Sequence, residues 1–391
     1  RFSDRGFFLN PIITSVFTSE RYQRQIIMPE VGVEGQEKIR SSTVLVIGAG
    51  GLGGSILQYL VAAGVGKIGL VEADVVEGSN LHRQILFTHQ DIGQSKGAIA
   101  KAVLNRLNPD VEIQHYNERF SIKNAYTLVQ SYDIVVDGSD NFPTRYLVND
   151  ACVLLGKPFI SGAVHRFEGQ VVLLGLPDGP CYRCLYPKPP TPGLVANCAE
   201  EGVLGAVAGV IGGLMATETL RFLLGLHAPK GGELLQVDLK TFRFAKFVFS
   251  KNTACLLCGE APEIFDLLEN YEAFCGIPEQ IAKVVTPAEL HDWKIEGIDY
   301  FMLDVREPEE YAAGNMGGHL IPSGQLTNRL DELMQYRNKR VVVHCKSGGR
   351  SREATKLLLD AGFTDVWDIK GGFLAYLAFY HALDAFGKST P

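Results

Sequence analysis

Three things are scarce in this chain, and each scarcity removes a class of function. Basic charge is the first: Lys and Arg total 37 against 44 Asp and Glu, a net charge of -7, so no strongly positive field exists to gather nucleic acid. Long apolar runs are the second. The longest, Val203 to Ala216 (VLGAVAGVIGGLMA), is too short and too rich in glycine to span a bilayer, and reads as a buried helix. Cysteine is the third, with 8 in 391 residues and no disulfide-like framework, which fits a reducing cytoplasm. The N-terminal stretch RFSDRGFFLNPIITSVFTSE is broken by Asn10 and Pro11 and followed by no small-residue cleavage site, so no signal peptide is expected; with Arg1 first, the native start is expected to lie elsewhere. No nucleic-acid and no membrane partner is expected. What remains is ordinary globular composition, 46 % hydrophobic and 21 % charged, with material for two or more domains.

The few cysteines are organised. Cys181 and Cys184 form one C-x-x-C pair and Cys255 and Cys258 a second. Each pair brings two thiolates to the corner of a tight turn, and together they complete the tetrahedral all-cysteine shell that structural zinc prefers. The pairs lie much farther apart than in a zinc finger, so Zn²⁺ here would clamp two distant segments. Cys152 and Cys275 read as packing residues.

Upstream, the apolar β-branched run Thr43 to Ile47 enters GAGGLGG, and Ser55 to Ala63 carries a helical pattern. Gly48, Gly50 and Gly53 satisfy G-x-G-x-x-G, a tight turn that lets backbone approach a phosphate. Alone this pattern suits NAD, FAD or ATP. A second strand, Lys67 to Val71, ends at Glu72, placed to accept hydrogen bonds from a ribose, and a third, Asp133 to Val136, leads to Asp140 and Asn141. In an open parallel sheet the carboxyl ends of strands share one edge, so Gly51, Glu72 and Asp140 converge. Asn80, Arg83 and Lys96 lie between them, and cations beside a glycine loop suit a triphosphate better than a dinucleotide.

The motifs RYQRQI (Arg21 to Ile26), GAGGLG, SNLHRQ (Ser79 to Gln84), SDN (Ser139 to Asn141), CYRC and CLLC resemble those of the MoeB and ThiF family, the adenylating enzymes that activate ubiquitin-like sulfur carriers. The resemblance runs from about Glu20 to Gly259. It implies that Gly51 lies against ATP, that Glu72 holds the ribose, and that Asn80, Arg83 and Lys96 contact phosphates, with Ser79 and Asn141 in the same motifs. It further implies that Asp140 holds the Mg²⁺-bound triphosphate, that Arg24 reaches the neighbouring subunit's site in a homodimer, and that Cys198 is the family's adenylation-domain cysteine. Cys198 follows the proline-rich LYPKPPTPGLVAN, whose fixed extended course suits a segment presenting one thiol above a site.

After Gly259 an acidic stretch with flanking prolines, residues 260–280, reads as a linker. A small α/β domain follows over 281–391: strand Tyr300 to Asp304, strand Arg340 to His344, helix Arg352 to Ala361. The second strand delivers CKSGGR, Cys345 to Arg350, a loop whose inward N–H groups, with the helix N-terminus and Arg350, lower the pKa of the thiol. LDVREPEEY with CKSGGRS resembles the rhodanese sulfurtransferases. Cell-cycle dual-specificity phosphatases place five residues between Cys and Arg; four intervene here, and the smaller ring favours a persulfide sulfur. AAGNMGGHLIPSGQL departs from the rhodanese pattern around His319.

The expected fold is α/β: a Rossmann-like ATP-binding adenylation domain with a structural zinc site over 1–259, and a small rhodanese-like domain. The expected activity is adenylation of the C-terminal glycine of a ubiquitin-like carrier ending in Gly-Gly, then transfer of sulfur from a Cys345 persulfide. The sulfur donor would be a cysteine desulfurase or thiosulfate. An inactive rhodanese-like module, an NAD-dependent oxidoreductase and a binding scaffold stand as alternatives.

Overall fold

A computed structural model describes residues 20–190, 202–276 and 282–387, with side chains to residue 383. The chain divides into two compact units, Arg1–Ile277 and Pro278–Pro391.

The first unit is built on an eight-stranded sheet in the order β3-β2-β1-β4-β5-β6-β7-β8. Strands β1 (Thr43–Ile47), β2 (Lys67–Val71), β3 (Glu112–Tyr116), β4 (Ile134–Asp137) and β5 (Phe159–His165) pair in parallel. Strands β6 (Glu168–Leu174), β7 (Glu233–Asp238) and β8 (Arg243–Val248) continue antiparallel. The runs TVLVI and IVVD are almost wholly buried, as parallel strands covered on both faces must be. Because β1 lies between β2 and β4, the strand order reverses there, and the crevice above that reversal is where open α/β sheets bind ligands.

Helix α1 (Gly51–Ala63) begins four residues earlier than the expected Ser55 and ends on left-handed Gly64. Helices α2 (Lys96–Leu107), capped by Ser95, and α3 (Phe142–Leu154), capped by Asn141, follow. Helix α4 (Gly205–Leu224) contains most of the expected buried helix and extends it to Leu224. By length and composition α4 could cross a membrane, but Val207, Ala208, Ile211, Met215 and Ala216 lie in the main core with α1 and the sheet.

The second unit is a five-stranded parallel sheet, β11-β10-β12-β13-β9. Its strands are β9 (Lys283–Val285), β10 (Phe301–Asp304), β11 (His319–Leu320), β12 (Arg340–His344) and β13 (Asp365–Ile369). Helices α5 (Pro287–Glu296), α6 (Gly349–Asp360) and α7 (Gly372–Gly387) accompany it. His319 departs from the family pattern yet pairs in register with Leu303, and its Nε2 lies 3.0 Å from Glu332.

One expectation changes. The acidic stretch after Gly259 is not a free linker along its length: the Tyr126 hydroxyl donates to Asp266 at 2.7 Å, and Tyr271 and Cys275 are buried with Leu267, Leu268 and Phe274 against α3. The first unit therefore extends to Ile277 rather than Gly259.

Candidate functional site

The nucleotide edge is assembled by register. Ile47 pairs with Val71 on one side and Asp137 on the other, so Gly48, Glu72 and Gly138 leave their strands at one level. Gly48 has a φ of +88° and turns the chain into α1. A Cβ on Gly53 would stand 2.0 Å from the Gly48 carbonyl oxygen, so only glycine allows the helix to pack against this loop. The Glu72 carboxylate is buried and accepts from the N–H groups of Ala49 and Asp74, both at 2.8 Å. It props the glycine loop, and each oxygen keeps a lone pair for a ribose hydroxyl.

Lys96, at the start of α2, is 6 % exposed, and its Nζ lies 3.7 Å from Asp74. Arg83 donates to the Ser79 carbonyl at 3.0 Å, which folds the SNLHRQ turn under its own guanidinium. Asp140 is exposed at the mouth of this edge. Asn141 is committed locally, since its side-chain oxygen accepts from Thr144 N–H at 2.9 Å to cap α3. Buried atoms without partners in the described residues include Asn80 Oδ1 and Gln84 Oε1, both from the turn that flanks the glycine loop. Natively buried polar atoms are paired, so these suit a polar ligand. Arg24, in the short helix Gln23–Ile26, is exposed, while Cys198 lies outside the described residues.

Beneath the SDN turn lies a residue that the motifs did not single out. Arg145 is buried, donates to the carbonyls of Ser139 and Gly162, and faces Asp137 at 3.7 Å. Burial pushes the Asp137 carboxyl up, with Arg145 and the Ser139 hydroxyl and N–H opposing it. This pair sets the base on which Asp140 is carried.

The four thiols meet as spacing predicts. Sulfur separations are 3.8 Å for Cys181–Cys184, 3.7 Å for Cys181–Cys255, 3.3 Å for Cys184–Cys258 and 3.4 Å for Cys181–Cys258. Zn–S bonds of about 2.3 Å in a tetrahedron put sulfurs about 3.8 Å apart, so the donor set fits zinc with little adjustment. Four cysteine ligands would fill a tetrahedral zinc shell and leave no opening for substrate, the pattern of a structural site. The cluster is tied to α3: Arg183, between the first two cysteines, donates to Asp150 at 2.7 and 2.6 Å, and Tyr182 N–H donates to Asn149 at 2.7 Å. Tyr271 adds a bond to Asp150 at 2.7 Å, which brings the stretch read as linker into the same network.

In the second unit, β12 delivers Cys345 at the centre of the sheet. The residue is 1 % exposed, and its sulfur accepts from Gly348 N–H at 3.1 Å. Burial alone would raise the thiol, but the Ser351 hydroxyl and the N–H groups of Ser351, Gly348 and Ser347 outweigh it and hold Cys345 below its ordinary value. Arg350 pairs through both terminal nitrogens with Glu310, at 2.7 and 2.9 Å. Depression of the thiol, expected in part from Arg350, rests chiefly on Ser351 and the loop N–H groups. His344 is buried with both ring nitrogens unbonded, 3.4 Å from Asp304, and Arg306 locks Asp304 from the other side.

A glycine loop at a parallel-sheet switch point, a four-cysteine cluster and a cysteine sulfur cradled by backbone N–H groups define a two-domain nucleotide and sulfur chemistry. Residues 22–257 match the ThiF family and residues 286–379 the rhodanese-like domain, and the chain belongs to the ThiF family with a C-terminal rhodanese-like domain. A sulfur carrier protein adenylyltransferase of Thermus thermophilus is 52 % identical over 263 residues, covering 66 % of this chain and 97 % of that protein. The Mycobacterium tuberculosis protein named "Probable adenylyltransferase/sulfurtransferase MoeZ" is 40 % identical over 367 residues, 91 % of this chain and 92 % of its own length. Adenylyltransferase and sulfurtransferase MOCS3 of Mus musculus is 40 % identical, with 92 % and 85 % covered. Among solved structures, Escherichia coli MccB superposes with a TM-score of 0.56 at 21 % identity, over 62 % of this chain and 75 % of that one, a likeness of fold.

Proposed function

We propose that this chain adenylates the C-terminal glycine of a ubiquitin-like sulfur carrier with ATP and then converts it to a thiocarboxylate through a Cys345 persulfide. The observation that carries the reading is the presence, in one chain, of a glycine loop propped by Glu72 and a loop whose Gly348 N–H bonds the Cys345 sulfur. A carboxylate is a poor electrophile. Its oxygen attacks the α-phosphorus of ATP, pyrophosphate leaves, and the acyl adenylate formed has AMP as a good leaving group.

In this reading Glu72 orients the ribose, Asn80, Arg83 and Lys96 offset phosphate charge, and Asp140 would hold Mg²⁺, which supplies charge neutralisation at the triphosphate. The terminal sulfur of the Cys345 persulfide then attacks the acyl carbon and AMP departs, leaving an acyl disulfide. A second thiolate attacks the Cys345 sulfur and releases the thiocarboxylate. If Cys198 is that thiol, a Cys198–Cys345 disulfide remains, and an external dithiol must reduce it. A homodimer supplying Arg24 in trans, and a cysteine desulfurase or thiosulfate as sulfur source, belong to the same proposal.

Carrier-dependent exchange of pyrophosphate into ATP tests the first half, and mass spectrometry of the carrier tests the second. Asp140→Ala should abolish exchange yet leave Cys345 able to take up sulfur. Cys345→Ser should exchange normally and make no thiocarboxylate. Thiocarboxylate formed at the wild-type rate by Cys345→Ser overturns the reading.

A further inference from the structure

The cation that closes the Cys345 loop is already occupied. Arg350 meets Glu310 through two short bonds, and Glu310 is itself fixed before Arg350 reaches it. Its Oε2 accepts from Glu307 N–H at 3.0 Å, and its carbonyl accepts from Arg306 Nη1 at 3.2 Å. Arg306 is in turn anchored on buried Asp304. Arg350 closes the loop that begins at Cys345 and whose Gly348 N–H bonds the sulfur, and the charges of Cys345 and Lys346 act on the pair. The reaction proposed above has no use for the Glu310 carboxylate.

Two kinds of donor place different demands on this mouth. With thiosulfate, the Cys345 thiolate attacks the outer sulfur, the S–S bond breaks, and sulfite leaves with the electron pair; the donor brings two negative charges and the leaving group keeps two. With a thiol persulfide, the thiolate attacks the terminal SH sulfur, the donor's S–S bond breaks, and the donor thiolate leaves. Neither route needs an outside oxidant. Only the first needs an unpaired cation beside the sulfur to bind the donor.

We propose that Glu310 is a specificity-determining residue: by occupying Arg350 and presenting a carboxylate, it disfavours dianionic donors, so that Cys345 is loaded from a thiol persulfide. The inference rests on the reading of Cys345 as a persulfide carrier and names the class of donor that serves it.

The test uses the full chain without ATP or carrier, following sulfur transfer to cyanide from thiosulfate and from glutathione persulfide. Glu310→Gln should raise the ratio of kcat/KM for thiosulfate to that for glutathione persulfide roughly five-fold, the size of a partly exposed ion pair, and mainly through the KM for thiosulfate. The gain should shrink as salt is raised, since the freed cation is near the surface. Glu309→Gln removes a neighbouring exposed carboxylate without touching Arg350 and should leave the ratio within about two-fold. If Glu310→Gln does not fold, Glu310→Asp, which shortens the reach to Arg350, should move the ratio in the same direction by less. An unchanged or falling ratio in the folded variant overturns the inference, as does an equal rise in Glu309→Gln. If wild type takes sulfur from neither donor, the persulfide reading of Cys345 fails, and the inference with it.

Discussion

Replacing Asp150 with alanine would remove the centre of the network that holds the zinc clamp to α3. The carboxylate accepts two bonds from Arg183, one from Tyr271 and one from Asn149, between 2.6 and 2.8 Å. Asp150 is fully buried and the Arg183 side chain is 4 % exposed, so the variant leaves a desolvated guanidinium with no counter-charge. Breaking such a pair from one side costs about 3–5 kcal/mol. The rings of Tyr146 and Phe274, 4.9 and 4.7 Å from the guanidinium, remain and recover a small part. At about 2–4 °C per kcal/mol for a unit of this size, the first unit should melt about 6–20 °C lower. Calorimetry of the full chain should show that transition shift alone, because the second unit has its own core. Zinc should also pass faster to a chromogenic chelator below the transition. A fall under about 2 °C, or equal shifts of both transitions, would refute the argument that this buried pair secures the clamp.

Gly53→Ala puts a methyl 2.0 Å from backbone, the Gly48 carbonyl oxygen, and should destabilise by about 1–3 kcal/mol or more. Loss of the thermal stabilisation conferred by ATP with Mg²⁺ should accompany it, while Gly54→Ala, with Leu86 at an ordinary 3.8 Å, should keep both properties. His344 is held down to about 4 by burial, with Asp304 opposing and Arg306 reinforcing. Its folded value lies below the unfolded one, so the neutral ring's contribution is complete above pH about 6.5 and is lost as pH falls toward 4, by on the order of 3 kcal/mol in all. Urea midpoints of the second unit between pH 6.5 and 5 should therefore fall in wild type and flatten in His344→Asn, and parallel profiles would remove His344 as the source.

Legibility followed chain distance. The glycine loop and the Cys345 loop were readable because strand, turn and helix are contiguous, although Glu72 and Glu310, which brace them, come from 23 and 40 residues away. The four-cysteine cluster joins distant segments, yet was readable because each half carries a complete C-x-x-C and a tetrahedral metal shell would call for both. Nothing comparable marks Asp150, Arg183 and Tyr271. Asp150 and Tyr271 are 121 residues apart, and the signal in the sequence was only a pair of polar residues, Asn149 and Asp150, inside the otherwise apolar run LVNDACVLL. The acidic charge of the stretch after Gly259 masked its anchors in the same way, since Tyr271, Phe274 and Cys275 are too few to make a periodic pattern and gain their meaning from the face of α3 that receives them. The consequence is mechanical as well as interpretive. The helix that Asn141 caps beside Asp140 is, a little over two turns later, the helix whose Asn149 and Asp150 grip the first cysteine pair's segment. The four-cysteine cluster thus bears on the SDN turn by fixing the far end of the helix that follows Asp140.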